Sequence, residues 1–344
     1  MSQAAERVLE ALRSAGDCPC SGAALSEALG VTRAQVWKHV ETLRDRGYRI
    51  IGAPGGGYRL ETTPDRLYPE ELRARASAAK FRAPATPARH WLAQELRYLD
   101  DTDSTNRVAF DWARNGAPHG AAVVAEGQTA GRGRLGRAFF SPPYQNLYTS
   151  LVLRPEMLLH EAPTVVLVAA LAVADCAAGL LGGPETVSIK WPNDVLLRGR
   201  KTSGILMELS AEATRVGFLV LGIGVNLNVD PGSFPAEFRQ RATSLRAETG
   251  SWVDRARFTR TLYDTLEQML DLHAAAGFDA LRGRFEAYFR MAGEPVRVTN
   301  PGGASMAGTA EGIDSDGALL LRREDGSQVR LLAGDVTLAK EGGQ

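Results

Sequence analysis

The sequence predicts an α+β protein in three parts: an amino-terminal winged helix-turn-helix, a central domain on a mixed sheet, and a small carboxy-terminal β-barrel. Three observations carry this. Residues 5–62 hold short helical stripes joined at a glycine, then strand, glycine turn and strand. The middle mixes short apolar runs with long helical stretches that do not alternate strictly, which favours a mixed over a doubly wound sheet. The tail from Pro295 to Ala339 breaks into short apolar runs between turn clusters. The chain, at 344 residues, exceeds one ordinary core. The expected boundaries are 1–63, a linker over 64–90, 91–293 and 294–344.

In the first part, Val8, Leu9 and Leu12 repeat at helical spacing. Ser21 caps a second helix with Leu25, Ala28 and Leu29 inside, and Gly30 ends it. Thr32 caps a third, with Val36, Val40 and Leu43 as its buried stripe and Lys38 on the opposite face. Tyr48–Ile51 and Tyr58–Leu60 flank a Pro-Gly-Gly-Gly turn, making a hairpin wing. Thr32, Arg33, Gln35 and Lys38 would face DNA from the third helix, and Arg49 and Arg59 would reach phosphates from the wing. Residues 5–62 hold eight Lys/Arg against seven Asp/Glu, so charge does not argue for DNA; spacing and wing do. The competing reading is a packing or dimerisation module.

The stretch from Pro64 to Arg89 carries four prolines and reads as a linker, with a short helix over Glu70–Lys80. In the central part, strands are expected at 121–125, 147–153, 188–189, 204–209 and 217–223, and helices near 106–115, 164–181, 255–275 and 278–288. In the tail, Asp314 and Asp316 fit a turn better than a calcium loop, whose other ligands are missing.

Composition excludes several classes. The formal net charge is zero, so any nucleic-acid binding is local. The first residues lack the apolar run of a signal peptide. Val165–Leu181, broken by Asp175, reads as a buried helix too short to span a bilayer, and no membrane partner is expected. Cys18, Cys20 and Cys176 are too few and too odd for a disulfide framework, which points to a reducing, cytoplasmic setting. Cys18 and Cys20 have no partner pair at zinc spacing.

The most informative stretch is Gly131–Arg137, with three arginines and three glycines in seven residues. Glycine lets a backbone approach a ligand, and arginine offers a permanently charged fork suited to phosphate. It fits G-x-G-x-x-G, but Ala138-Phe-Phe-Ser-Pro-Pro143 cannot open the helix that a dinucleotide site requires. Asp103-Ser-Thr-Asn106 precedes a helix; capping alone could explain it, or its hydroxyls hold a small polar ligand. Gln128 adds an amide just before the loop. Lys190 sits between Ile189 and Trp191, a context that shelters its ammonium, whereas Lys201 follows Arg200 in an expected turn and reads as a surface residue. The five histidines are scattered, and no nucleophile–base pair or G-x-S-x-G elbow occurs. These parts suit a reaction driven by positioning and by cations around a phosphate, such as displacement on ATP. Magnesium would arrive with the nucleotide, and no metal ligands are expected in the protein.

Gly131-Arg-Gly-Arg-Leu-Gly-Arg137, Lys190-Trp-Pro-Asn-Asp194, Gly204-Ile-Leu-Met-Glu208 and Gly222-Ile-Gly-Val-Asn226 together resemble the biotin–protein ligases. With the amino-terminal unit, the resemblance runs from Gly22 to about Leu338 and is to the bifunctional bacterial form, biotin–[acetyl-CoA-carboxylase] ligase and repressor of biotin synthesis genes. It implies an SH3-like tail domain and a reaction in two steps. Biotin carboxylate attacks the α-phosphate of ATP, giving biotinyl-5′-AMP and pyrophosphate. A lysine of a carboxylase carrier domain then attacks the mixed anhydride. By this resemblance Ser104, Thr105, Asn106 and Gln128 meet the ureido side, and Arg132, Gly133 and Arg134 close on biotin and phosphate. Lys190 offsets charge at the carboxylate and α-phosphate, Gly204–Leu206 line the biotin tail, Phe139 packs on the adenylate, and Asn226 meets adenine. The resemblance also implies operator DNA as a partner and a homodimer when the adenylate is bound. Three features depart from the pattern: Phe139 where tryptophan is common, Leu135 where a second basic residue is common, and a longer linker between Leu67 and Trp91. A relative that attaches lipoate or octanoate, and a ligand-sensing regulator without catalysis, are the competing functions.

Overall fold

The computed structural model describes residues 1–53, 56–73, 90–300 and 302–338. It divides the chain into two units, Met1–Arg66 and Leu67–Gln344.

Three capped helices and a hairpin build the first unit. Helix α1 (Gln3–Ala15) starts at Ser2, whose side chain accepts from the Ala5 amide. Helix α2 (Gly22–Leu29) starts at Ser21 and ends at Gly30, whose φ of 67° is the left-handed conformation that stops a helix. Helix α3 (Arg33–Asp45) carries a full capping box between Thr32 and Gln35. Strands β1 (Arg49–Ala53) and β2 (Gly57–Thr62) pair antiparallel. The predicted stripes supply the core: Val8, Leu9, Leu12, Leu25, Val36, Val40 and Leu43, with Tyr48 and Ile50 from the wing. Pro54 and Gly55 of the expected wing turn lie outside the described residues.

The second unit begins with helix α4 (Pro69–Arg73); the remainder of the helix expected to Lys80, and most of the linker, lie outside the described residues. Next come β3 (Leu96–Leu99), α5 (Thr105–Arg114), β4 (Ala122–Ala125), β5 (Leu147–Leu153) and α6 (Pro163–Leu181). Strands β6 (Val187–Lys190), β7 (Asp194–Leu197), β8 (Arg200–Glu212) and β9 (Arg215–Val225) form a meander. Helices α7 (Ala236–Arg239), α8 (Leu245–Thr249), α9 (Arg255–Ala276) and α10 (Asp279–Glu286) follow. The seven-stranded sheet has the order β3-β4-β5-β9-β8-β7-β6; β3 and β4 are parallel and all other neighbours antiparallel, so the sheet is mixed as predicted. The sequence reading missed β3 and β7, and started β8 four residues late, at Gly204 rather than Arg200.

One sheet face packs on α6 and α9, the other on α5. Helix α6 spans 19 residues and, contrary to expectation, is long and apolar enough to cross a membrane. Its burial marks it instead as the core helix: Val168 through Ala174 are wholly enclosed. Cys176, on the same helix, is buried, and desolvation pushes its thiol up to about 12.

Strands β10 (Pro295–Thr299), β11 (Ser305–Ile313), β12 (Leu319–Arg322), β13 (Gln328–Leu331) and β14 (Asp335–Leu338) form a five-stranded antiparallel sheet, ordered β13-β12-β11-β10-β14. Asp314 closes a turn by accepting from the Asp316 and Ala318 amides, both at 2.9 Å. The buried Trp191 indole donates to the Gly317 carbonyl at 3.0 Å and ties this sheet to the central one.

A buried ion pair joins α9 to the sheet. Arg255 and Glu126 meet at 2.8 Å with both side chains fully enclosed. Glu126 also accepts from the Leu67 amide at 2.9 Å and from Tyr98 at 3.2 Å. Removing one partner leaves a buried charge uncompensated, which destabilises by about 3–5 kcal/mol. Arg255→Ala should therefore lower unfolding free energy by about that amount in urea titration. A midpoint equal to wild type would contradict the pairing.

Candidate active site

A cleft forms where one face of the central sheet loses its side chains. On β9, Leu219, Leu221, Ile223 and Val225 enter the core under α6 and α9, while Phe218 and Val220 alternate onto α5. The α5 side continues as Gly222 and Gly224. Gly224 pairs with Gly204 of β8 and Tyr148 of β5; Gly222 pairs with Leu206 and Ser150. A Cβ on Gly222 would stand 2.0 Å from Asn106 Oδ1, and one on Gly224 would stand 2.6 Å from the Phe139 ring. Bare backbone is what lets the carboxamide and the ring lie on the sheet.

The rim begins at the amino end of α5. Ser104 occupies the cap position yet makes no side-chain cap bond, so capping does not account for its hydroxyl. Gln128 serves the cap instead: its Oε1 accepts from the Thr105 amide at 2.9 Å and from Thr105 Oγ1 at 3.1 Å. Gln128 Nε2 then donates to Ser141 Oγ at 3.0 Å. Asn106 donates to Glu208 at 2.9 Å, and Ser150 Oγ lies 2.6 Å from Asn106 Oδ1. Four polar side chains predicted from sequence, Ser104, Thr105, Asn106 and Gln128, thus line one cleft, fixed by Ser150 and Glu208, which the sequence reading missed.

The arginine loop forms the other wall. The Phe139 amide donates to the Gly131 carbonyl at 2.9 Å and the Gly133 amide to the Arg137 carbonyl at 2.7 Å, closing the loop on itself. Leu135, at its tip, has φ of 56°, a conformation that favours glycine. Arg132, Gly133, Arg134 and Phe139 line the cleft, as does Gly204 opposite them. Arg134 donates to Asn193 Oδ1 at 2.9 Å, and Asn193 donates to the Ile205 carbonyl at 3.0 Å. Burial lowers the Arg134 pKa from its ordinary value, but a guanidinium stays charged in water at any physiological pH.

Lys190 ends β6 and pairs with Asp194, which pairs in turn with Gly204, so it stands on the cleft face of the sheet, one strand beyond Asp194. Lys201, expected in a surface turn, lines the cleft. The turn expected at Lys201 lies earlier, at Arg198 and Gly199, which both take left-handed φ, 48° and 78°. Such a doublet makes a tight hairpin and puts Lys201 inside β8. A register shift beside Leu196 then brings Lys201 Nζ to 2.7 Å from Asp194 Oδ1, on the cleft side of Gly204. The Arg-Gly doublet was the available signal. Asn226, expected at an adenine, directly follows the end of β9. It is buried, donates to the Thr243 carbonyl at 3.1 Å, and has Asn146 Nδ2 3.5 Å from its Oδ1, which ties loops together.

In the first unit, the residues expected at DNA divide into three pairs. Thr32 and Gln35 hold each other in the cap: the Thr32 amide donates to Gln35 Oε1 at 2.8 Å and the Gln35 amide to Thr32 Oγ1 at 3.2 Å. Arg49 and Arg59 stand on the wing, both paired with Glu61, at 2.7 and 3.3 Å. Exposed pairs of this kind are weak and exchange readily for phosphate. Arg33 and Lys38 are exposed on α3, beside Trp37, whose 53% exposure is unusual for a tryptophan and was not anticipated.

Three family models match the chain: the biotin/lipoate A/B protein ligase family over residues 98–226, the biotin protein ligase C-terminal domain over 292–338, and a helix-turn-helix domain over 5–59. The bifunctional ligase/repressor BirA of Bacillus subtilis is 36% identical over 334 residues, covering 96% of this chain and 97% of that protein. Its Escherichia coli counterpart is 32% identical, covering 92% of each. Among solved structures, the biotin protein ligase of Aquifex aeolicus in complex with biotin and ATP matches with a TM-score of 0.61 at 32% identity, over 71% of this chain and 98% of that one.

The bare sheet face makes a direct prediction. Gly222→Ala should push the Asn106 carboxamide off its bonds to Glu208 and Ser150 and destabilise the fold by about 1–3 kcal/mol, the scale of overpacking. Calorimetry checks this; an unchanged melting temperature would contradict the close approach.

Proposed function

The chain belongs to the bifunctional biotin ligase/repressor family, and we propose the following account of how its residues work. It ligates biotin to a biotin-acceptor protein in an ATP-dependent reaction, and its amino-terminal helix-turn-helix serves repression. The observation that carries the residue assignment is the meeting of Arg132, Arg134 and Lys201 in one cleft above a glycine floor.

In this reading the ureido ring of biotin sits at the amino end of α5, against Ser104, Thr105, Asn106 and Gln128. Both donors and acceptors are present there, as a ureido group requires. The tetrahydrothiophene ring and tail lie along Gly204–Leu206, where a Cβ on Gly204 would obstruct them. The carboxylate then points to Lys201. One carboxylate oxygen attacks the α-phosphorus of ATP, the bond to the bridging oxygen breaks, and pyrophosphate leaves with the electron pair. Two anions must approach each other in this step. The Lys201 ammonium and the Arg132 and Arg134 guanidiniums offset that repulsion and the charge that builds on the phosphoryl oxygens. Asp194 holds Lys201 in place until the substrate carboxylate competes for it. In the second step a neutral lysine amine of the acceptor attacks the biotinyl carbonyl, AMP leaves, and the amide nitrogen loses a proton. Phe139 packs on the adenylate in place of the tryptophan often found there.

Among the described residues no group of three or more histidine, cysteine or carboxylate side chains is assembled that could hold a metal ion. A magnesium ion would be carried by the phosphates of ATP, and no step above runs through it. Operator DNA is met by the exposed side of α3, with Arg33 and Lys38, and by the wing. The protein works in the cytoplasm and pairs as a homodimer once the adenylate has ordered the cleft loops; the family supports the dimer, and the free cysteines support a reducing compartment.

The test is incubation with biotin, ATP, magnesium and an acceptor domain. Labelled acceptor is expected; pyrophosphate release without transfer would favour a sensor instead. Lys201→Ala should slow adenylate formation about 100-fold or more, the effect of losing one charge-stabilising donor. Lys190→Ala should slow it as well, since Lys190 stands on the same sheet face, paired with Asp194. Wild-type rates in both variants would remove these lysines from the chemistry. Lys38→Ala should weaken operator binding, read by fluorescence anisotropy, while ligation is unchanged; equal affinity would remove α3 from the interface.

A further inference from the structure

Asp335 opens β14 of the carboxy-terminal sheet and Gly334 directly precedes it, yet both grip the arginine loop. Arg134 Nη2 donates to the Gly334 carbonyl at 3.0 Å, and Arg137 Nη2 donates to Asp335 Oδ2 at 2.5 Å. Arg134 is therefore held at two points, Asn193 on one side and the tail sheet on the other. Neither anchor in the tail is free to retreat. Asp335 pairs in register with Thr299 and Val336 with Val298. A Cβ on Gly334 would stand 2.5 Å from Val298 Cγ1, so its backbone is pressed onto β10.

The loop has little of its own to hold it. Its internal bonds are backbone closures, and Leu135 sits in a left-handed conformation at the tip. Ordering such a segment loses conformational entropy at each residue. Anchors already fixed in a neighbouring sheet reduce that loss, because part of the loop is placed before ligand arrives.

Building on the ligase reading, we propose that Asp335 is a positioning residue: acting through Arg137, it props the arginine loop shut over the enzyme-bound adenylate and slows the intermediate's escape. Asp335 does not line the cleft, so its effect falls on retention and not on the chemistry. The pair is partly exposed, with Arg137 at 66% and Asp335 at 28%, which sets the effect at a few-fold.

The experiment uses the full chain loaded with labelled biotin, ATP and magnesium, then rapidly desalted, with adenylate release followed over time. Asp335→Asn should release adenylate about 3-fold faster, and the difference should shrink near about 1 M salt, where exposed pairs are screened. Its rate of adenylate formation should match wild type. Asp335→Arg should release faster still, and combining it with Arg137→Asp should restore slow release, which a merely structural role would not do. Release at the wild-type rate in both single variants would overturn the proposal, as would a reversed pair that fails to restore retention. Slowed formation in Asp335→Asn would place the residue in the chemistry and overturn it as well. Absence of adenylate in the wild-type chain would instead remove the ligase reading itself, and the prop with it.

Discussion

A sheet face without Cβ atoms is the constraint on which the site depends. Gly204, Gly222 and Gly224 stand in paired register on adjacent strands, and each has a functional side chain lying where its own would be. The opposite face of the same strands is occupied by Leu219, Leu221 and Ile223, buried under α6 and α9. The floor is thus rigid for the same reason that it is bare: one strand face belongs to the core and the other to the ligand. Positions of Asn106, Phe139 and Lys201 inherit their precision from that packing.

Charge is organised locally. The chain has no net charge, yet the cleft gathers Arg132, Arg134 and Lys201 with Asp194 as their nearby counter-ion. The wall opposite the cations is built from neutral donors and acceptors. Glu126, two residues before Gln128, ends in a buried pair with Arg255, so the strand that carries the amide is fixed from the core side. Arg134 and Arg137 extend the cationic wall to the tail sheet, which makes that sheet part of the site's architecture and not an appendage.

Much of this was legible in the sequence. Apolar spacing placed α1–α3, α5, α9 and α10, and a continuous apolar run placed α6; side-chain caps mark the starts of α1, α2, α3 and α9. The arginine loop was legible from its composition, whereas Ser104 through Asn106 could have been helix caps, and only the resemblance gave them and Gln128 a ligand. Ile189 is buried on the core side, and alternation along β6 turns Lys190 to the opposite face, where it pairs with Asp194. Lys201 was hidden by a turn placed too late, and its approach to Gly204 depends on a register shift that no local pattern announces. Trp37 went unremarked because exposure of a large aromatic is decided by its neighbours in space and not by its own helix stripe.

The most direct measurement of the central claim is a crystal structure of the chain with a non-hydrolysable biotinyl-adenylate. The account predicts the Lys201 ammonium and the Arg132 guanidinium at about 2.7–3.2 Å from the oxygens around the acyl-phosphate. A structure with Lys201 still turned to Asp194 and Arg132 turned away from the acyl-phosphate would contradict it.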